Sequence, residues 1–393
     1  MTAGPCNLPR TARALESSLD SGGVDALIVV SSLCAEGTPI LALDLCKAWL
    51  RRGLKVHVTT LANENEEMLP EFTRLGINVT TLNVDVRTRR RYADLFWKTN
   101  RLCRQLNPKA VFLFPFGWHT FMAFGARLAG VANIVAHAGN YPPVTTTSTL
   151  RKMRLMVRLG SLVGCRVACC SDYVRMGLRR HFGVTRNVHT IHNGVRLSAF
   201  QRLESRRPLQ SQPIVCGMVA RFEVHKDQPS LIKAAKILRS QGIVIEIQLV
   251  GDGSRRQEYE RLIDDLDLGG SVRLLGVRRD IASLLAEWHL FVFSVTEDEG
   301  LGIALIEAMA AGVPSIASNV GACREAATTP EGHPLVEFIP PGDPEALALS
   351  IKNILANPEV FARRAEEARA YVAHTYSAES MAMAYGSLAG FSK

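Results

Sequence analysis

The sequence predicts two doubly wound α/β domains, each built on a parallel sheet, facing one another across a cleft. Three observations carry that expectation. The chain has 393 residues, too many for one ordinary core. Short apolar runs alternate with helix-period segments through both halves, the pattern of parallel sheets covered by crossover helices. The charge also divides: residues 1–196 carry 26 Lys and Arg against 12 Asp and Glu, whereas residues 197–393 carry 20 against 25. The net charge of +9 therefore joins a basic first half to a mildly acidic second half.

The elements follow in order. Residues 25–30 read as the first strand. Thr38 and Pro39 look like the N-cap and first residue of a helix; it runs to about Arg52 and is stopped by Gly53. The next strand is 55–60, with later ones at 110–114, 132–137, 166–170 and 188–191. Residues 197–213, rich in Arg, Ser, Gln and Pro, read as a linker. Beyond it, strands fall at 214–219, 244–250, 272–275, 290–293 and 315–317, and closing helices near 344–356, 358–374 and 378–389. The expected organisation is a first domain over 1–196, the linker 197–213, a second domain over 214–375 and a terminal helix within 376–393. Ligands of such sheets bind beyond the carboxyl ends of the strands, here in the interdomain cleft.

Composition excludes several classes. At 47% hydrophobic and 21% charged residues the chain is an ordinary globular protein, and no apolar run approaches the roughly 20 residues that span a bilayer. Residues 1–23 lack the apolar core of a secretory signal, so a cytoplasmic protein is expected. Nine cysteines, none in C-x-x-C spacing, read as buried free thiols in a reducing compartment, with no zinc site. The basic half calls for an anionic partner. Nucleic acid is not expected, because no helix-turn-helix, zinc-finger or aromatic RNA-binding signature is present. The segment Leu150-Arg-Lys-Met-Arg-Leu-Met-Val-Arg158 and its continuation to Val163 suit either an anionic membrane surface or an internal helix with an exposed basic edge. The run Arg87-Thr-Arg-Arg-Arg91 reads as a solvated loop in the same field.

The most informative stretch is Glu299-Gly-Leu-Gly-Ile-Ala-Leu-Ile-Glu307, which follows the apolar run 290–293. It reads as strand, Gly-rich turn, helix. A helix opening at Gly300 to Gly302 would offer unpaired N–H groups and its positive end to an anion. Glu299 at the turn and Glu307 two turns on supply carboxylates, which only accept hydrogen bonds and so suit hydroxyl-rich ligands. Anion plus hydroxyls describes a nucleotide-sugar well. A second cluster, Ala220-Arg-Phe-Glu-Val-His-Lys-Asp227, follows the strand ending at Val219. Arg221 and Lys226 in that loop could hold a diphosphate without a metal, Arg as a planar fork and Lys as a point charge. The one D-x-D, Asp265-x-Asp267, lies near a helix end and reads as solvated charge.

These pieces, with His192-Asn-Gly-Val195, Val250-Gly-Asp-Gly253, Val272-Arg-Leu-Leu-Gly276, Gly321-x3-Glu325 and Pro341-Gly-Asp-Pro-Glu345, occur in an order that resembles the retaining GT-B glycosyltransferases of the large bacterial polysaccharide, lipopolysaccharide and mannosyl transferase family. The resemblance covers residues 188–375 closely and 25–190 loosely. It implies two Rossmann-like domains of the GT-B type, with the final helix crossing back to the first domain. It further implies that Glu299 contacts donor-sugar hydroxyls and that Glu307 takes the ribose diol. Arg221 and Lys226 would hold the diphosphate with the N–H groups of Gly300, Leu301, Gly302 and Ile303, and His137 would face the donor sugar. Gly37 aligns with the second glycine of the family's first-domain loop, and Glu36 replaces the first. Arg196 stands where the family usually has Asp.

The expected activity is transfer of a sugar from a UDP- or GDP-linked donor to the hydroxyl of a glycan or lipid-linked acceptor. Configuration would be retained, with no cofactor or metal. An epimerase of the same fold and a catalytically silent sugar-nucleotide binder are the rivals. A nicotinamide dehydrogenase is disfavoured, since no G-x-G-x-x-G follows the first strand of either domain.

Overall fold

The computed structural model describes residues 23–34, 37–62, 66–142, 147–183, 186–200 and 211–391. Residues 1–22, Glu36 and most of the expected linker lie outside them. In the first half the chain runs β1 (Ala26–Val30), α1 (Gly37–Arg51), β2 (Val56–Thr60), α2 (Leu69–Arg74), β3 (Asn78–Thr81), α3 (Arg91–Leu106), β4 (Ala110–Leu113) and α4 (His119–Leu128). It continues with β5 (Asn133–Ala138), α5 (Thr147–Leu162), β6 (Cys165–Cys169), α6 (Asp172–Phe182) and β7 (Val188–Thr190). All seven strands pair in parallel in the order β3-β2-β1-β4-β5-β6-β7.

The second half holds β8 (Ile214–Val219), α7 (Gln228–Ser240), β9 (Ile245–Val250), α8 (Arg256–Asp265), β10 (Val272–Gly276), α9 (Ile281–Glu287) and β11 (Leu290–Phe293). Then come α10 (Ile303–Ala310), β12 (Ser315–Ser318), α11 (Gly321–Ala326), β13 (Glu337–Ile339), α12 (Pro344–Ala356), α13 (Pro358–Thr375) and α14 (Ala378–Leu388). Its parallel sheet is ordered β10-β9-β8-β11-β12-β13.

Central strands are buried on both faces, as helix-covered parallel sheets require: every residue of β1 is inaccessible to solvent. The edges are different. β3, with the sequence Asn-Val-Thr-Thr, alternates between exposed and half-buried residues, and β13 has three residues. Neither carries the apolar run by which the other strands announce themselves, and the sequence reading omits both.

Two chain crossings lie side by side. Val195 bridges Ser377 in parallel, with Val195 N–H donating to Tyr376 O at 2.8 Å and Ala378 N–H to Val195 O at 3.1 Å. A side chain at Gly194 would put its Cβ 2.4 Å from Ser377 O, which accounts for glycine in Asn-Gly-Val. Past the crossing, α14 lies on the first sheet. Met381, Ala382, Tyr385 and Ala389 join the core that contains Trp49 and Phe112, and the Trp49 indole N–H donates to Ala382 O at 3.0 Å.

Each sheet reverses its strand order once, between β1 and β4 and between β8 and β11. The loops leaving the carboxyl ends at such a point diverge and leave a crevice. In the second sheet those two loops are 220–227 and 294–302, which carry Lys226 and Glu299.

Candidate active site

The loops after β8 and β11 are tied by a short antiparallel contact. Lys226 bridges Val295, Asp227 N–H donates to Ser294 O at 2.9 Å and Thr296 N–H to His225 O at 3.1 Å. Asp227 does double duty: one carboxylate oxygen accepts from Ser230 N–H at 3.3 Å, capping α7, and the other accepts from Ser294 Oγ at 2.8 Å. The sequence signal for this residue is an Asp just before a Gln-Pro helix start, and the sequence reading gave it no role.

This clamp sets the Lys226 ammonium against the Glu299 carboxylate in a buried ion pair, with side-chain exposures of 13% and 10%. Lys226 Nζ also sits 5.0 Å from the centroid of Phe293. Burial works to raise the Glu299 carboxyl, but the Lys226 charge and hydrogen bond, with the Gly300 N–H, outweigh it and hold it below its usual value of 4.5. The carboxylate is ionised at neutral pH.

The helix after this turn starts later than the sequence implied. Gly302 is its left-handed N-cap, φ 84°, and α10 begins at Ile303. The Gly300 N–H does not face outward, because Glu299 Oε1 accepts it at 3.0 Å. Leu301 is a core residue, 2% exposed. In the first turn the N–H groups of Leu305 and Ile306 already donate to Gly302 O at 3.0 and 3.1 Å, which leaves those of Ile303 and Ala304 without an intrahelical carbonyl.

Gly300 is where the halves of the chain touch. A Cβ there would lie 2.1 Å from Gly139 O, and Ser171 Oγ, which also caps α6, donates to Gly300 O at 2.6 Å. His137 therefore lies near the Glu299 turn. It is the penultimate residue of β5 and 5% exposed. Its Nδ1 is 2.7 Å from the Tyr385 hydroxyl, and burial pushes the ring down to about 4, so it is neutral.

A second interdomain tie comes from Glu325. Its carboxylate accepts from the N–H groups of Asp172 and Tyr173 at 2.6 and 2.7 Å, capping α6 from the other half of the chain. His192 Nε2 lies 2.8 Å from the same carboxylate. The glycine of Gly321-x3-Glu325 admits the Tyr173 ring, which a Cβ would meet at 2.2 Å.

Glu307 sits in a different charge group from Glu299. Burial raises its carboxyl to about 7, with Arg196 pulling it down and Asp44 pushing it up. It keeps a half-buried face toward solvent, as a group at the mouth of a crevice would. Arg196, for which the sequence offered no account, has Nε 3.0 Å from Oδ1 of Asp44, a residue of α1 that is 4% exposed. Its positive charge offsets an acid buried in the first domain.

The remaining candidates are placed as follows. Arg221 is exposed on the loop after β8, and its carbonyl accepts from Gln228 Nε2 at 3.0 Å. Gly37 is the exposed first residue of α1, not the position before the helix, and a Cβ there meets no atom within 4 Å. Asp265 ends α8 and Asp267 follows with φ 52°, away from any strand end. Among the described residues no three His, Cys, Asp or Glu side chains cluster to hold a metal, and the eight described cysteines are free thiols. An open surface depression between α7 and α8 is lined by Lys233, Arg261 and Asp265, and by none of the residues expected to hold the donor.

Comparison with known proteins gives the geometry a family. A model described as Glycosyl transferases group 1 matches residues 200–371, and one described as Glycosyltransferase Family 4 matches residues 35–199. The chain is 30% identical over 210 residues to the protein EpsF of Bacillus subtilis (strain 168), covering 51% of this chain and 54% of that one. It is 26% identical over 267 residues to the lipopolysaccharide core biosynthesis glycosyltransferase LpsD of Rhizobium meliloti (strain 1021), covering 67% and 70%. The matched region thus spans about half the length of relatives such as EpsF. The crystal structure of Anabaena Alr3699/HepE in complex with UDP-glucose superposes with a TM-score of 0.79 at 20% identity, over 92% of this chain and 98% of that one, which shows the GT-B fold. The two family models meet near the chain crossing and together take in both sheets: the second domain is similar to the group 1 glycosyltransferases and the first to glycosyltransferase family 4.

Proposed function

We propose that the protein is a retaining, metal-independent glycosyltransferase. It would move a sugar from a nucleoside diphosphate to an acceptor hydroxyl in the synthesis of cell-surface polysaccharide or glycolipid. The observation that carries the reading is the Lys226–Glu299 pair at the strand-order reversal of the second sheet, beside the N-terminus of α10. A Lys ammonium has three donors. One serves Glu299, and two are left for diphosphate oxygens. The Glu299 carboxylate has about four acceptor sites; Lys226 and Gly300 use two, and sugar hydroxyls would take the others.

Departure of the nucleoside diphosphate builds negative charge, and prearranged cations at a helix N-terminus stabilise it in the transition state. Lys226, Arg221 and the first turn of α10 supply that charge, so the reading needs no metal. Attack from the leaving-group face, with a diphosphate oxygen taking the acceptor's proton, would retain configuration without a side-chain nucleophile. His137 faces the sugar and Glu307 the ribose.

HepE was crystallised with UDP-glucose, which makes that compound the first donor to try. In a thermal-shift series of uridine, guanosine and adenosine diphosphate sugars, one should raise Tm by a few degrees. A hundredfold excess over Kd stabilises by about 2.7 kcal/mol. A flat response to every donor would remove the reading.

The acceptor is proposed to be lipid-linked or otherwise at an anionic membrane. No helix among the described residues is long and apolar enough to cross a bilayer. However, α5 exposes Arg151, Lys152, Arg154 and Arg158 beside Leu155 and Leu162, 53% and 78% exposed. Arg154 and Arg158 reach the end of α6 at Gly183, where Arg179, Arg180 and Met176 are also exposed. Basic side chains interleaved with exposed apolar ones fit an anionic interface. The protein should sediment with phosphatidylglycerol vesicles at low salt and be released near 1 M salt, where the Debye length is about 3 Å. Equal sedimentation with phosphatidylcholine vesicles would contradict the assignment.

A further inference from the structure

His137 and Tyr385 come from distant parts of the chain, 248 residues apart. One is the penultimate residue of β5 in the first sheet; the other lies on α14, the helix that returns from the second half. Tyr385 is 1% exposed, and the Phe114 ring lies 5.1 Å from the imidazole centroid and 6.4 Å from the phenol centroid.

The imidazole is neutral, so one ring nitrogen carries a proton and the other a lone pair. Burial holds the Tyr385 hydroxyl well above its usual range, so it keeps its proton and must place it. Among the described residues His137 Nδ1 is its one hydrogen-bond partner. A buried O–H with no acceptor would forfeit its hydration without return, so the hydroxyl donates to Nδ1 and the ring proton sits on Nε2. That edge lies against Gly139, where a Cβ would fall 2.8 Å from Nε2. Gly139 is the residue on which Gly300 packs.

We propose that Tyr385 is a positioning residue that locks His137 as the Nε2–H tautomer, giving the crevice a fixed, uncharged hydrogen-bond donor beside the Glu299–Gly300 turn. Its natural acceptor is a hydroxyl of the bound sugar. Because Tyr385 rides on the return helix, this donor is set only while α14 is docked on the first sheet. The inference rests on reading His137 as a donor-sugar contact, and adds the residue that aims it.

Ring nitrogen spectra of protein labelled with 15N-histidine test it, the His137 signals being assigned by their absence in His137→Asn. The expected result is an unprotonated, hydrogen-bonded Nδ1 and a protonated Nε2, with the two tautomers mixing in Tyr385→Phe, which keeps the ring and loses only the hydroxyl. A proton on Nδ1 in the unaltered protein, or an unchanged tautomer in Tyr385→Phe, would overturn the proposal. Kinetics give an independent arm with the sugar nucleotide that the thermal-shift series selects. Tyr385→Phe should lower kcat/KM about tenfold and cost nothing further in a His137→Asn background. The same tenfold loss in that background would also overturn it. Full turnover by His137→Asn would instead refute the sugar contact, while the spectra would still decide whether Tyr385 sets the tautomer.

Discussion

Glu299→Gln is expected to lower kcat by on the order of 10²–10³ and to destabilise the protein at the same time. The carboxylate accepts from two donors at once, Lys226 Nζ and the Gly300 N–H. An amide has one acceptor oxygen, so its NH₂ must face one of those donors. Lys226, 13% exposed, is left with an uncompensated charge, and breaking a buried pair from one side costs about 3–5 kcal/mol. The loss depends on pH in a definite sense. The Glu299 carboxyl is held below 4.5 in the folded protein, so the pair's contribution is complete above that value and fades as acid titrates it. The Tm deficit of Glu299→Gln should therefore be largest near neutrality and shrink in acid. Lost stability and lost chemistry separate in the double variant Lys226→Met with Glu299→Leu. Removing both charges should restore most of the Tm, since apolar replacements of buried pairs are often neutral or better, yet leave turnover absent. Wild-type turnover in Glu299→Gln would dispose of the site.

The approach of Lys226 to Glu299 was legible in the sequence to the extent that topology decides it. Both residues follow apolar runs, and those runs become β8 and β11, the neighbours at which strand order reverses. Strands buried on both faces are long apolar runs for a physical reason, and β1 and β8 were readable for that reason. β3 and β13 lie at sheet edges, where solvent permits polar residues and the pattern is lost. Helix starts were legible only to within a turn. The glycines marked where α10 begins, but the left-handed backbone belongs to Gly302, and a sequence does not say which of two nearby glycines adopts it. Long-range pairings were illegible. Arg196 looked anomalous because its partner Asp44 lies on α1, and nothing in the last helix's own sequence pairs Tyr385 with a residue 248 positions away. Glu325 could be read as part of a motif, but its place at the N-terminus of α6 depends on how the two halves of the chain meet.

Glu307→Gln should make the protein more stable at pH 8 while weakening its hold on the donor. Burial raises the Glu307 carboxyl to about 7 in the folded protein, against a usual 4.5. The folded state thus binds the proton more tightly than the unfolded chain does, and stability falls as pH climbs from about 4.5 to about 7. At pH 8 the wild-type protein carries the cost of an ionised, half-buried carboxylate. Gln, of the same shape and never charged, avoids it, so the variant's Tm should exceed the wild type's at pH 8 and converge with it near pH 4.5. Donor binding should move the other way. A carboxylate can accept from both hydroxyls of a ribose diol and an amide oxygen is the poorer acceptor, so donor KM should rise about tenfold at pH 8. In the wild type KM should also climb as pH drops below about 7 and Glu307 takes up its proton, whereas the variant's KM should not follow that profile. Two groups share this field: Arg196 pulls the carboxyl down and Asp44 pushes it up. Asp44 is itself raised by burial to about 6, so it titrates in an overlapping window and Asp44→Asn is the necessary control. If Glu307 is the donor contact, that control lets Glu307 ionise at lower pH and shifts the KM profile toward acid. If Asp44 is responsible, Asp44→Asn abolishes the profile and Glu307→Gln leaves it in place.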